Sequence, residues 1–250
     1  MNRAVLRKLP VVCVALTALA ALTALAASGA TATTTEEKGD AVKAAEGLWA
    51  YTALIAGGKR ENMPLTGVIL FKDGMFAQQS IFDGTPFETQ GSMAHAGPFG
   101  AGPQGVHMTA EQTISTAPGK EKPLSFRQDT QHDISVARSG DEMTIVFASG
   151  TVQKFKRIGP ANGRIHKLDK GVLALVDCHF VLVDGDEQGV VTGFGTYKQS
   201  GTTYDLNATR WAEATPTKAI NKRDFVQKAT FDGKTFKLAD GRSFKVVGDK

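Results

Sequence analysis

From Gly47 to the end of the chain, short runs rich in Val, Ile, Phe, Tyr and Thr recur about every 8 to 12 residues, with Gly, Asp-Gly, Ser-Gly or Pro between them. That spacing predicts an all-β barrel or sandwich. One series of strands runs from Leu48–Ile55 to Thr151–Ile158, and a second from Val172–Val176 to Ser243–Val247. Asp73-Gly74, Asp232-Gly233 and Asp240-Gly241 mark tight hairpins, because each supplies a Gly free to take positive φ.

The two series read as a degenerate internal repeat. TGVILFKDGMF, Thr66 to Phe76, lies against KGVLALVDCHF, Lys170 to Phe180, at an offset of 104 with Gly, Val, Asp and Phe matched. AGPFG (Ala96 to Gly100) precedes the strand HMTAEQTISTAP as TGFGTY (Thr192 to Tyr197) precedes YDLNATRWAEATP, and each series closes on a hairpin. The common order of these matches predicts two similar β units, 47–158 and a shorter 170–250, joined by a linker at 159–169 that holds Gly159-Pro160 and Asn162-Gly163.

Ahead of them stand Arg3, Arg7 and Lys8, then an apolar run from Val11 to Ala27, then the small-x-small triplets Ala24-Leu25-Ala26 and Ala30-Thr31-Ala32. Residues 1–32 therefore read as a signal peptide with its cleavage region, and 33–46 as a flexible tether in which Ala41–Ala45 forms one helical turn. The expected mature protein is periplasmic or secreted and has no membrane span. Removing the leader takes the formal charge from +4 to nearly neutral, 26 bases against 25 acids. That balance argues against nucleic-acid binding, which needs many phosphate contacts. Cys13 leaves with the leader and Cys178 is then alone, so an internal disulfide and a Cys-rich zinc site are excluded.

Gly47-Leu48-Trp49, the Gly67–Phe71 strand with Asp73-Gly74-Met75-Phe76, Ala96-Gly97-Pro98-Phe99-Gly100, and Val106-His107 leading to Ser115-Thr116-Ala117-Pro118 together resemble the bacterial lipocalin-like domain over about Ala45 to Ile158. The sequence departs from that pattern at Pro98, at His107 directly after Val106, and in the extra loop Ala101–Gly105. The resemblance implies a small antiparallel barrel whose interior holds one small apolar ligand, with Trp49 plugging its closed end. The second unit lacks a G-x-W opening strand and reads as a degenerate copy, a barrel or half-barrel. The fold class is thus two lipocalin-like antiparallel units in tandem after a cleaved signal peptide.

Candidate site residues follow from alternation along the strands. Val106 to Ser115, taken as one strand, puts His107, Thr109, Glu111 and Thr113 on one face and Val106, Met108, Ala110, Gln112 and Ile114 on the other. If the apolar face fills the barrel, His107 and Glu111 meet solvent; if the barrel holds a wet cavity, they line it about 13 to 14 Å apart. Phe71 and Phe76 are barrel filling or ligand contacts, and Arg210 beside Trp211 is a candidate for an anionic group. His95, His132, His166 and His179 show no metal-ligand spacing, and His132-Asp133, adjacent in one strand, point to opposite faces. No metal or cofactor is expected. The Gly97–Gly105 stretch, with two prolines, reads as a surface loop rather than a phosphate cradle.

The leading expectation is a non-enzymatic, exported binder of a small apolar or amphipathic molecule in the cell envelope. The rivals are a small-barrel isomerase, cyclase or hydrolase using His107 and Glu111, and an envelope interaction protein whose barrels are solid. A pocket of a few hundred Å3 with convergent polar groups separates them. For the leader, N-terminal sequencing of the exported protein is expected to start between Ala27 and Thr33; an intact Met1 on a membrane-bound form contradicts cleavage.

Overall fold

The computed structural model describes residues 35–57, 63–84 and 86–249, so the leader, including the expected cleavage sites, lies outside the described residues. After helix α1 (Thr35–Ala45) come β1 (Gly47–Ile55), β2 (Leu65–Lys72), β3 (Met75–Phe82), β4 (Ser92–Gly102), β5 (Gly105–Ala110), β6 (Gln112–Thr116), β7 (Leu124–Arg127), β8 (Thr130–Ser139), β9 (Glu142–Phe147) and β10 (Val152–Gly159). The second half holds β11 (Gly163–Leu168), β12 (Gly171–Val176), β13 (His179–Asp186), β14 (Gly189–Ser200), β15 (Thr203–Ala214), β16 (Ala219–Lys222), β17 (Phe225–Phe231), β18 (Thr235–Leu238) and β19 (Ser243–Asp249). Each half is an antiparallel meander closed on itself, β1 pairing with β10 and β11 with β19, to give two eight-stranded barrels in tandem. Closure leaves all the strands but the short β7 and β16 with neighbours on both sides, which is how a sheet protein removes most of its aggregation-prone edges. No helix among the described residues is long and apolar enough to cross a membrane.

Local chemistry explains the turns. Asp73 and Gly74 both take positive φ between Lys72 and Met75, the two-residue turn whose twist matches a hairpin. Asp177 and Cys178 do the same at the repeat-related position, without a glycine.

Three expectations about the segments change. The tether is an eleven-residue helix: Ala41, Val42 and Ala45 pack beneath the first barrel, and Trp49 Nε1 donates to the Ala45 carbonyl at 2.8 Å. The linker shrinks to 160–162, because Gly159 ends β10 and Gly163–Leu168 is the opening strand β11. Its Ala161 and Asn162 amides donate to the Asp177 carboxylate at 2.6 and 3.1 Å. β11 pairs with β12 beside it and with β19, about eighty residues away, so its strand character rests partly on a partner that a local reading omits. With β11 in place the second unit is a full barrel. His166 then takes the position of Trp49, since Trp49 pairs with Ile69 and His166 with Leu173, the residues matched by the repeat.

The Gly97–Gly105 loop is also a correction: up to Gly102 it is strand β4, turning at Pro103-Gln104 into β5. Opposite Gly97 the expected strand Val106–Ser115 is broken by a bulge at Glu111, where a Cβ on residue 97 would sit 2.0 Å from the Thr109 carbonyl oxygen. One extra residue reverses the faces beyond it. Val106, Met108 and Ala110 point into the barrel, whereas Ile114 packs outside. The same device recurs at Thr209 opposite Gly195, turning Trp211 inward with Leu206 and Ala208.

The two barrels share one compact unit because their outer walls are apolar where they meet. Leu48, Val68, Leu70 and Ala77 of the first barrel pack with Val172, Ala174, Val181 and Val183 of the second, all nearly inaccessible to solvent. Gln79 Nε2 donates to Thr192 Oγ1 across the seam at 2.7 Å, and Lys167 pairs with Glu111 at 2.9 Å. The consequence is testable at Leu70, which lies on the outside of its barrel yet is 0% exposed. Leu70→Ala is expected to cost about 2 to 5 kcal/mol, as in an ordinary core, and to lower the unfolding midpoint of both barrels together. Urea unfolding followed separately at the Trp49 and Trp211 indoles checks this; two separated midpoints contradict it.

Candidate functional site

The first barrel encloses a cavity of about 570 Å3 at the end opposite Trp49 and α1. Tyr51 and Leu54 of β1, Gln78 and Ser80 of β3, His95 of β4, His132 of β8 and Gln153 of β10 reach it from the wall. Leu65, Phe82, Met93 and Phe147 give it an apolar rim. These positions follow from alternation: in β3, Phe76, Gln78 and Ser80 point inward while Met75, Ala77 and Gln79 face the other barrel.

The floor is a chain of neutral hydrogen bonds. Gln78 Nε2 donates to Tyr51 Oη, and Tyr51 Oη donates to Gln153 Oε1 at 3.1 Å. Burial pushes the Tyr51 phenol far above its ordinary range, so it stays protonated. Beside this chain the rings of His95 and His132 lie 5.8 Å apart, with Phe147 edge-on to His132 at 5.5 Å. Burial first, and the neighbouring His132 second, lower the pKa of His95 to about 4. Burial, then the charge of His107, also lowers that of His132. Two imidazoles at neutral pH can each donate and accept one hydrogen bond. No hydrogen bond to another side chain engages either ring among the described residues, and His132 Nε2 is buried without a partner. The cavity therefore offers hydroxyl, amide and imidazole groups in an apolar frame. Of its described lining residues only Asp133 is an acid, and its carboxylate bonds to His107 outside the barrel.

The residues singled out from sequence fall elsewhere. His107 is on the outer surface, its Nδ1 2.8 Å from Asp133 Oδ1 and its Nε2 2.7 Å from Gln131 Oε1. The Asp133 hydrogen bond, then that to Gln131, raises its pKa. Glu111 sits at the bulge and is held by Lys167. Neither touches the cavity, because the apolar face of β5 is the inward one. Phe71 and Phe76 are fully buried near the closed end, packed at 5.0 and 6.2 Å within a cluster that includes Phe99, and do not line the opening. Arg210 stacks on Phe87 from one side at 5.6 Å while Arg223 covers the same ring at 4.6 Å. With the Asn221 amide donating to the Phe87 and Gln90 carbonyls, this fastens the β3–β4 connection of one barrel to the other. Tyr51, Gln78 and Gln153 were missed; the available signal was a run of polar residues, Gln78-Gln79-Ser80, in a strand otherwise made for a core.

The second barrel has the same mouth but not the same interior. Pairing places Leu182 where the first barrel has Gln78, and Gly193 where it has His95. Trp211 stands in the place of Thr113, and its ring fills the space above Gly193, where a Cβ would lie 2.3 Å away. Phe180, Phe231, Phe236 and Phe244 complete a solid core. What remains is a pocket of about 580 Å3 at the rim, lined by charged groups together with Val190, Val191, Ile220 and Phe244. No family model, curated protein or solved structure matches the chain.

His95 gives a pH test with a definite sign. Its native pKa, about 4, lies below the 6.5 of an unexposed-to-field imidazole, so its contribution to stability is complete above pH 6.5 and is lost as pH falls toward 4. Asp184 in the second barrel, raised to about 7 by burial and then by Asp169, has the opposite slope over the same window. The two partly offset in the native protein. His95→Gln is expected to make the change in unfolding free energy from pH 7 to pH 4.5 more favourable by about 2 kcal/mol. Urea titrations at the two pH values measure it; identical pH dependence in the variant and native protein contradicts the assignment.

Proposed function

We propose that this protein is an exported binder of a small, uncharged, amphipathic molecule, which it holds in the first barrel. The observation that carries the reading is the contrast between the two repeats: one interior is filled by Leu182 and Trp211, while the other keeps an opening lined by Gln78, Tyr51, Gln153 and two imidazoles. The opening is within the usual range of ligand pockets, about 300 to 1,000 Å3. The one acid among the described lining residues, Asp133, is already held by His107, so a charged ligand would enter without a counter-ion of its own, which is costly in an apolar site. A neutral molecule with an apolar body against Leu54, Leu65 and Phe82 and one or two polar groups on the Tyr51 chain satisfies both surfaces. The leader and the resemblance of 47–158 to bacterial lipocalin-like domains support the same reading, with the cell envelope as its place of action. Catalysis by His107 and Glu111 loses support, because both lie outside the opening.

Ser80 points into the cavity, so Ser80→Trp is expected to occlude it. Binding of N-phenyl-1-naphthylamine, an uncharged fluorescent amphiphile, is expected to weaken about tenfold or more in Ser80→Trp, with near-ultraviolet circular dichroism confirming that the variant is folded. Native mass spectrometry of protein from its own host is expected to show a neutral small molecule on the native chain and none on the variant. Equal binding of the fluorophore by both folded proteins contradicts the site.

A further inference from the structure

The rim pocket of the second barrel was not among the sites suggested by the sequence. It is bounded by the β11–β12 turn with Asp169 and Lys170, the β13–β14 turn beginning at Asp184, the end of β15, and Phe244 of β19. Most of its charges are already matched. Lys170 pairs with Asp186 at 2.6 Å, and Glu213 receives Lys222 at 2.9 Å, Arg242 at 3.1 Å and the Trp211 indole at 2.7 Å. Arg242 also holds Asp240. Three charges in or beside the pocket have no ion-pair partner among the described residues: Asp169, Asp184 and Lys218.

Asp184 is the unusual one. It is 9% exposed, its Oδ2 is buried without a hydrogen bond, and it lines a pocket whose walls include Val190, Val191, Ile220 and Phe244. The repeat-related residue in the first barrel is Ser80, so the fold does not require a carboxylate here. Burying an acid with an unmatched oxygen costs stability, and such groups concentrate at functional sites. We infer that the mouth of the second barrel binds an organic cation, a primary ammonium on a short apolar chain, with Asp184 as its counter-charge and Asp169 beside it. A turn of the carboxylate about χ2 brings the unpaired Oδ2 to the pocket, where the ammonium supplies the donors it lacks, and the chain lies along Val191, Ile220 and Phe244. Burial first, then Asp169, raise its pKa to about 7 with no cation present, Lys170 opposing them and Asp186 adding a smaller push in the same direction. Binding therefore completes its ionisation and releases a proton near neutral pH.

The chain carries two tryptophans, one in each barrel, which makes the test site-specific. Octylammonium is titrated into native protein and Asp184→Asn at pH 8, with the two indole N–H resonances observed by NMR; 1-octanol is the uncharged control. Asp184→Asn keeps the shape and removes a buried charge, so it is expected to fold. The expected result is that octylammonium shifts the Trp211 indole, which lies beside the pocket through Glu213, and leaves that of Trp49 in place. It is also expected to bind about tenfold or more tightly than 1-octanol, and Asp184→Asn to lose that advantage. A shift confined to Trp49, equal affinity for octylammonium and 1-octanol, or unchanged affinity in Asp184→Asn overturns the proposal.

Discussion

The packing of one barrel wall on the other governs the rest of the molecule. A lone antiparallel barrel has an apolar inside and a polar outside, but β2, β3, β12 and β13 are buried on both faces. In β2, β12 and the first half of β13 the sequence is correspondingly a continuous apolar run, Val68–Phe71, Val172–Val176 and Phe180–Val183, as expected for strands covered on two sides, whereas β3 keeps Gln78-Gln79-Ser80 for hydrogen bonds. The shared wall also gives its inward positions a rigid backing. Gln78 and Ser80 project from β3, whose opposite face packs against Val181, Val183 and Thr192, so one wall of the first barrel's cavity is backed by the seam between the barrels.

Within that frame the two repeats differ by a few substitutions with large effects. A glycine at 193 admits the Trp211 ring, and a leucine at 182 seals the space around it. In the first barrel the corresponding His95, Thr113 and Gln78 are smaller or polar, and the volume they leave open is closed at the far end by Trp49. The large aromatic thus sits at the closed end of one barrel and under the mouth of the other. The polar floor of the first barrel is stabilised by mutual hydrogen bonding between Gln78, Tyr51 and Gln153, without which burying three polar groups would be expensive. In the second barrel the polar groups are moved to the rim, where they form ion pairs around Glu213 and Arg242 and leave Asp184 unmatched.

Much of the fold was legible before any coordinates. Strand spacing, Asp-Gly turns and the 104-residue offset specified antiparallel hairpins and their duplication, because these depend on residues close in sequence or on pattern alone. β11 and the length of α1 were not legible. Gly163–Leu168 is a strand through pairing with β12 and with the distant β19, and α1 gains its apolar support from Trp49 and Val106 across the barrel's closed end.

The site shows the same division more sharply. Alternation named the face of β5 that would fill the barrel and, with it, the outward placement of His107 that followed in that case. It failed beyond Glu111, where a bulged residue lodges against a glycine on the neighbouring strand and reverses every later side chain, as Thr209 does in the second barrel. The sequence by itself determined the all-β class, the duplication and the order of the hairpins, since period and turn chemistry are local properties. Which polar residues converge on a cavity, which barrel is filled and which acid is left unmatched were decided by tertiary structure, because each depends on what the neighbouring strand and the opposing wall place against that residue.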